Sequence, residues 1–394
     1  MRRFCLLLLA VVGAIYLAAG CSSLSDLSGT GATATQHCGS PRSMELIIGA
    51  HRNAPRPWLN PALVCQVTLA IRAGKPVQIV AVSGQPSLIN LRLESVTGGT
   101  IAEQNSPRVQ QDVQHVQAAI AATRPDSPGV DDLEAISTAA DAARSVGQPH
   151  AELVLIDSGL DDRGALAFTV PGVLAATPAE VVEQLKASGN LPHLAGFTVL
   201  LVGTGYTAPP QPPLSAKWRS SVTQIWVAIM TAAGAKVEVI PQPGQGPSVE
   251  TDQPVRSVPV PPTLQVKPST QGPIVLNGES AVRFEPNTTV FADPIAAAKA
   301  LTPIARWLAA DPSRHAWLEG TTADVGPLAG QIQLSRLRAN RCRDELIALG
   351  ASSSQITASG VGSDFPQFIP DRDAAGSLLA GPATLNRSVR ITLK

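Results

Sequence analysis

The sequence has no excess of charge of either sign. Lys and Arg total 30, Asp and Glu total 30, and the formal net charge is zero. A nucleic-acid binder needs a basic face to displace counterions from phosphates, so that class is excluded. Aromatic residues make up only 4% of the chain. No Cys-x-x-Cys pair and no His-rich run suggests zinc. Val82-Ser83-Gly84 follows a candidate strand, but no Gly-x-Ser-x-Gly nucleophile elbow is present. Gly203-Thr204-Gly205 lacks the third Gly and the following helix of a dinucleotide fingerprint, so both segments read as turns. No series of alternating strands is long enough for a membrane barrel. The expectation is a binding protein without cofactor, metal or turnover.

At 394 residues the chain is too long for one ordinary core, and two domains are expected. Its 34 prolines and 32 glycines suggest extended connections as well as packed domains. Arg2 and Arg3 form a basic start, and Phe4 to Leu17 is an apolar run too short for a comfortable membrane span. Ala18-Ala19-Gly20-Cys21 closes it with small residues before a Cys, which resembles the lipobox of bacterial lipoproteins. The resemblance implies a signal peptide over residues 1–20, acylation of Cys21 and a flexible, Ser-bearing tether over 21–42. An exported chain is in a disulfide-permissive place. Cys38, Cys65 and Cys342 then remain, an odd number. Cys38 with Cys65 is the expected bridge, pinning the mature N-terminal segment to the first domain, with Cys342 a buried apolar side chain on a helix.

Residues 43–240 read as alternating helices and strands in the order β-α-β-β-α-α-β-α-β-α-β. Met44 to Ile48, Val77 to Val82, Leu153 to Ile156, Phe197 to Val202 and Val237 to Ile240 are strand-length apolar runs, and Ile89, Leu91 and Leu93 alternate with polar residues. Asn60-Pro61 and the capping box Thr177-Pro178-Ala179-Glu180 open helices. The pattern predicts an α/β domain with a mostly parallel sheet, helices on both faces and one antiparallel edge strand. That element order resembles the von Willebrand factor type A domain. The family's metal motif, Asp-x-Ser-x-Ser, falls on Gly49, His51 and Asn53, so its main acid is missing. Asp131, Asp157 and Asp161 sit on loops expected at the same sheet edge and read as caps and loop residues, and no metal is assigned. His51 reads as a structural histidine.

Pro241 to Gly272 is rich in Pro, Gln, Ser and Gly. No hydrophobic period survives there, and a semi-rigid polyproline spacer is expected, the alternative being a loop packed over one domain.

Residues 273–394 carry four motifs in order. Phe284-Glu285-Pro286-Asn287 is a turn. Glu319 to Ala339 reads EGTTADVGPLAGQIQLSRLRA, Gly360-Val361-Gly362 follows a strand, and Asn386 to Ile391 reads NRSVRI. Together they resemble the OmpA-like peptidoglycan-binding domain, an α+β fold, whose core motif is E-G-H-T-D-x-x-G followed by L-S-x-x-R-A. The resemblance implies a grip on the diaminopimelate arm of the peptidoglycan stem peptide, a zwitterion that needs an Arg for its carboxylate and an acid for its ammonium. It places the binding set on Asn287, Thr322, Asp324, Gln331 and Arg338. This chain departs from the family at Thr321, where His is expected, and at Ala323, where the Asp is expected. Asp324, the next residue, is the candidate replacement. Asn386 and Arg387 are expected to brace the last strand, and Phe365 to Pro382 to form a mobile surface excursion.

The combined expectation is a cell-envelope lipoprotein, on the exported side of an outer or cytoplasmic membrane. It would bind peptidoglycan at one end, hold the membrane through lipid at the other, and use the first domain to meet an envelope protein that the sequence does not name. The alternative is a metal-dependent receptor or enzyme activity in the first domain, with the C-terminal domain only a structural module.

Overall fold

A computed structural model describes residues 38–89, 91, 93, 107–242, 244–262 and 266–394. The signal peptide, Cys21 and the first part of the tether lie outside the described residues. Cys38 to Lys394 form one compact unit.

The first half is built on five parallel strands: β1 (Met44–Ile48), β2 (Val77–Ala81), β4 (Glu152–Ile156), β5 (Thr198–Val202) and β6 (Lys236–Ile240). A short strand, β3 (Ser87–Ile89), runs antiparallel to β2 at one edge. The spatial order is β3-β2-β1-β4-β5-β6. Every residue of β1, β4 and β5 is buried, as a strand with helices on both faces requires. Alternate residues feed two cores. Leu46, Ile48, Val154, Ile156, Leu200 and Val202 pack against α1 (Pro61–Arg72) and α2 (Pro107–Ala122). Ile47, Leu153, Leu155, Val199 and Leu201 pack against α3 (Asp132–Ser145), α4 (Pro178–Ala187) and α5 (Ala216–Ala232). The caps form as the sequence predicts: Leu63 N donates to Asn60 Oδ1 at 2.9 Å, and Glu180 N to Thr177 Oγ1 at 3.4 Å. A disulfide joins Cys38 to Cys65 on α1, with the two Cα atoms 5.8 Å apart.

The Pro-rich segment corrects the spacer expectation. It lies along the first half as a packed strap. Val249 and Val258 are buried, one in each core. Gln211 clasps the Val258 backbone from both sides, accepting from its N at 2.7 Å and donating to its O at 3.1 Å. Asn53 Nδ2 donates to Arg256 O, Trp218 Nε1 to Pro261 O, and Gly129 N to Pro254 O. Proline removes donors from the chain, but its carbonyls remain acceptors, and four donors of the α/β half reach carbonyls of this stretch.

The second half has a four-stranded sheet in the order β7-β10-β8-β9. Its strands are β7 (Ile274–Leu276), β8 (Ala316–Thr321), β9 (Ile356–Gly362) and β10 (Val389–Leu393). β10 is antiparallel to β7 and β8, while β8 and β9 are parallel. Two helices, α6 (Pro294–Ala309) and α7 (Leu328–Ala348), close one core around Leu301, Ile304, Leu318, Ala339, Cys342 and Ile391. Burial pushes the Cys342 thiol up to about 12, so it stays protonated and apolar. α7 lies almost on the backbone of β8: a Cβ on Gly320 would come within 1.9 Å of Ser335 O. The register between β8 and β9 shifts at Gly320/Thr321. That irregularity turns the chain out of the sheet and into the 322–327 loop.

Residues 365–382 do run over the surface, with Pro366, Gln367, Ile369, Pro370 and Arg372 exposed, but the excursion is anchored. Phe365 and Asp371 are buried, Arg372 pairs with Leu378 in an isolated antiparallel bridge, and the segment ends in a short helix, α8 (Ala380–Asn386). Its Phe365 and Phe368 rings meet edge to face at 5.7 Å.

Candidate ligand site

The motif loop after β8 is braced from several directions. Thr321 Oγ1 donates to Asn386 O at 2.6 Å and accepts from Ser388 N at 3.1 Å, so the residue at the family's His position ties β8 to β10. Thr322 is buried, and its Oγ1 has no partner among the described residues. Ala323 is buried as well. Asp324 Oδ1 accepts from Gln331 Nε2 at 3.0 Å, and its Oδ2 from Arg372 Nε at 3.4 Å. Gln331 also donates to Gly326 O and accepts from Ser363 N, which uses its amide to hold the loop. Asp371 Oδ2 accepts from Asp324 N and from Asn386 Nδ2, each at 3.0 Å. Asn386 braces this region as expected. Asp371 and Arg372 were missed in the sequence because their segment reads as a polar loop.

Arg338 lies elsewhere. Gln331, Ser335 and Arg338 occupy one buried face of α7, with Gln331 and Arg338 about 10 Å apart along the axis. Arg338 Nε donates to Thr288 O at 2.9 Å and Nη2 to Glu285 O at 3.4 Å, and the guanidinium stands 5.2 Å from the centre of the Phe284 ring. These bonds engage two of five N–H donors. Burial, and secondly the charge of Arg387, lower its pKa to about 10, while Glu180 acts in the opposite sense. It therefore remains charged at neutral pH. The turn it holds includes Asn287, whose φ of 55° is one that Asn tolerates.

Arg338 and Asn287 line a cleft of about 460 Å³ between the two halves. Four cationic side chains, Lys217, Arg283, Arg338 and Arg387, and two carboxylates, Glu180 and Glu285, line it together with Trp218 and Phe284. Thr322, Asp324 and Gln331 do not. The five residues expected to act together therefore fall into two groups. Asp324 is not placed to replace an acid at position 323 opposite Arg338, because the loop turns its carboxylate toward Arg372.

A second concentration of charge sits at the C-terminal ends of the α/β strands. His51 Nε2 and Asp157 Oδ2 are 2.8 Å apart, both fully buried. A Cβ at Gly49 would come 2.1 Å from Asp157 Cγ, so Gly49 makes room for that carboxylate. Asp161 Oδ1 accepts from Asp132 N at 2.8 Å. Asp162 Oδ1 accepts from Val130 N, and Oδ2 from the strap's Arg256 N at 2.8 Å. Burial, and then the charges of Asp157 and Asp161, raise Asp132 well above the ordinary carboxylate range, and burial raises Asp161. Burial alone would lower His51, but the charge and hydrogen bond of Asp157 outweigh it, and the net shift is upward. Asp157 is lowered: burial opposes this, and the His51 charge decides it. Asp131 caps α3, accepting from Glu134 N at 3.0 Å. This donor set does not suit a metal. The His51 ring nitrogen occupies the Asp157 oxygen, and among the described residues no three His, Cys, Asp or Glu side chains converge on a metal position.

Residues 283–375 match the OmpA family model. The chain matches no curated protein. Among solved structures it is similar to the peptidoglycan-associated lipoprotein of Burkholderia pseudomallei, at 24% identity over 29% of this chain and 88% of that one, with a TM-score of 0.24. It is also similar to a putative MotB-like protein of Desulfovibrio vulgaris, at 22% identity over 30% and 73% of the two chains, TM-score 0.25. The periplasmic domain of Helicobacter pylori MotB matches at 18% identity over 32% and 86%, TM-score 0.26.

Proposed function

We propose that this chain is a cell-envelope lipoprotein that binds peptidoglycan non-covalently through its stem peptide. The observation that carries the reading is Arg338. It lies within the segment that matches the OmpA family, is charged, and lines an open cleft with donors to spare. Among the described residues no carboxylate lies within ion-pair distance of it. A buried guanidinium held by two carbonyls keeps its orientation and waits for an anion. The proposal is binding without turnover, with lipid at Cys21 as the membrane anchor on the exported side. The α/β half serves as a module for an envelope protein partner. Its strand order and single antiparallel edge strand support the von Willebrand A-like reading. A metal-dependent receptor or enzyme there has weaker support, because His51 already occupies the acid such a site would use.

The test is sedimentation with purified sacculi. Wild type should pellet with them, and Arg338→Ala should stay in the supernatant at the same protein concentration. Equal retention of the two proteins would remove Arg338 from the site.

A further inference from the structure

We propose that the ligand site is shared between the two halves, and that Glu180 of the α/β half supplies the acid that position 323 lacks. This rests on the stem-peptide reading and names a further residue of the same site.

A zwitterionic amino-acid head needs a carboxylate near the guanidinium that takes its own carboxylate. Position 323 holds Ala, and Asp324 is turned to Arg372 and Gln331 outside the cleft. Among the described residues, two carboxylates line the cleft with Arg338, those of Glu180 and Glu285. Glu285 is exposed on the turn whose carbonyl already serves Arg338. Glu180 is held. It sits in the first turn of α4, where Thr177 Oγ1 donates to its Oε2 at 2.9 Å. Arg387 grips it from the second half, Nη2 to Oε1 at 2.5 Å and Nη1 to Oε2 at 2.9 Å. An ionised carboxylate offers about four acceptor positions. Two on Oε2 and one on Oε1 are taken, which leaves one on Oε1 for an ammonium N–H. Its side chain is 22% exposed, open enough to be reached and buried enough for the contact to count.

The surrounding cations suit the rest of such a ligand. Lys217 and Arg283 line the same wall and attract carboxylates. The Lys217 ammonium packs 4.1 Å from the centre of the Trp218 ring. The halves are fixed against each other around this point: Ala380 N donates to Gln184 Oε1 at 2.8 Å, and Lys217 Nζ to Glu279 O at 3.3 Å. Glu180 therefore stays beside Arg387 and the cleft without a separate closing step. The ligand class is an aliphatic arm ending in a free ammonium and a carboxylate.

The experiment is isothermal titration of the full mature chain in detergent micelles. One probe is the disaccharide-tripeptide ending in meso-diaminopimelate; the other is the same fragment acetylated on its free side-chain amine. Glu180→Gln keeps the Thr177 N-cap, whose bond comes from the backbone N of position 180, and retains an amide oxygen that can accept from Arg387. It should weaken the free-amine fragment at least tenfold and leave the acetylated fragment no weaker than it is for wild type. Glu285→Gln should bind both as wild type does. Equal affinity of wild type and Glu180→Gln for the free-amine fragment would overturn the proposal. So would an equal loss for both fragments, which would assign Glu180 to holding the halves together, or a loss found in Glu285→Gln instead. Wild type that binds neither fragment and does not sediment with sacculi would sink the stem-peptide reading itself, and this proposal with it.

Discussion

The molecule concentrates charge in two places that differ in one respect. At the strand ends of the α/β half, His51, Asp132, Asp157 and Asp161 are sealed from water; His51 pairs with Asp157, Asp161 accepts from the Asp132 backbone N, and the Asp132 carboxylate has no hydrogen-bond partner among the described residues. In the cleft, Arg338 and Glu180 are also held by neighbours, yet each keeps a bonding position that nothing among the described residues fills. Perturbed pKa values occur in both places, so perturbation alone does not mark a binding site. An unfilled valence beside a cavity does. The first cluster is closed to any ligand, whereas the second opens on a cleft.

The sharpest way to break this contrast is His51→Ala. Removing one partner leaves Asp157 buried without its counter-charge, so unfolding free energy should fall by about 3–5 kcal/mol in urea titration. A loss below about 1 kcal/mol would show that the cluster does not depend on the imidazolium. Next comes Arg338→Ala, where losing a charged hydrogen-bonding partner should cost about 1.5–3 kcal/mol of binding, roughly 10- to 150-fold in Kd for muropeptide.

A pH series tests the sealed side from another direction. Burial raises the Glu45 carboxyl on β1 from 4.5 to about 8, and neither of its oxygens has a partner among the described residues. A group that holds its proton more tightly when folded adds stability below its unfolded pKa and loses it as pH rises through the folded value. For Glu45 that window runs from 4.5 to about 8. His51 acts in the same sense above 6.5, and so do Asp132 and Asp161 above 3.8. Asp157 acts in the opposite sense, but only as pH falls below 3.8. The midpoint of thermal unfolding should therefore be higher at pH 5.5 than at pH 8. Glu45→Gln should flatten the slope and gain about 1–2 kcal/mol at pH 8. A midpoint that climbs toward pH 8 would reverse the assignment. The smallest effect is expected at Asp324→Asn. Its exposed pair with Arg372 is worth about 0.5 kcal/mol, and muropeptide affinity should change less than threefold. A larger loss would return Asp324 to the ligand site.

Much of the fold was legible because local signals agreed with global ones. Each buried strand of the α/β half is an apolar run, and Asn60-Pro61 and Thr177-Pro178 announce their helices. Arg338 was legible from its motif. What stayed hidden depends on partners far apart in the chain. Glu180 reads as one end of a capping box, and its role in the cleft emerges only from Arg387, 207 positions away. Asp371 reads as a loop acid until Asp324 and Asn386 meet it. The strap was misread because isolated valines among prolines carry no period, although Val249 and Val258 each reach a core.

That strap has a mechanical consequence. A free polyproline segment from 241 to 272 would let the halves stand up to about 100 Å apart, at ~3.1 Å per residue. Here Gln211, Asn53 and Trp218 clasp it to the first half at Val258, Arg256 and Pro261. On the proposed reading, tension between wall and membrane enters at Arg338 and must cross the Arg387–Glu180 contact and the strap together before either half can separate. The protein would behave under load as a single link of a chain rather than as two beads on a string, and its yielding point would lie at the ion pair whose Glu180 also meets the ligand.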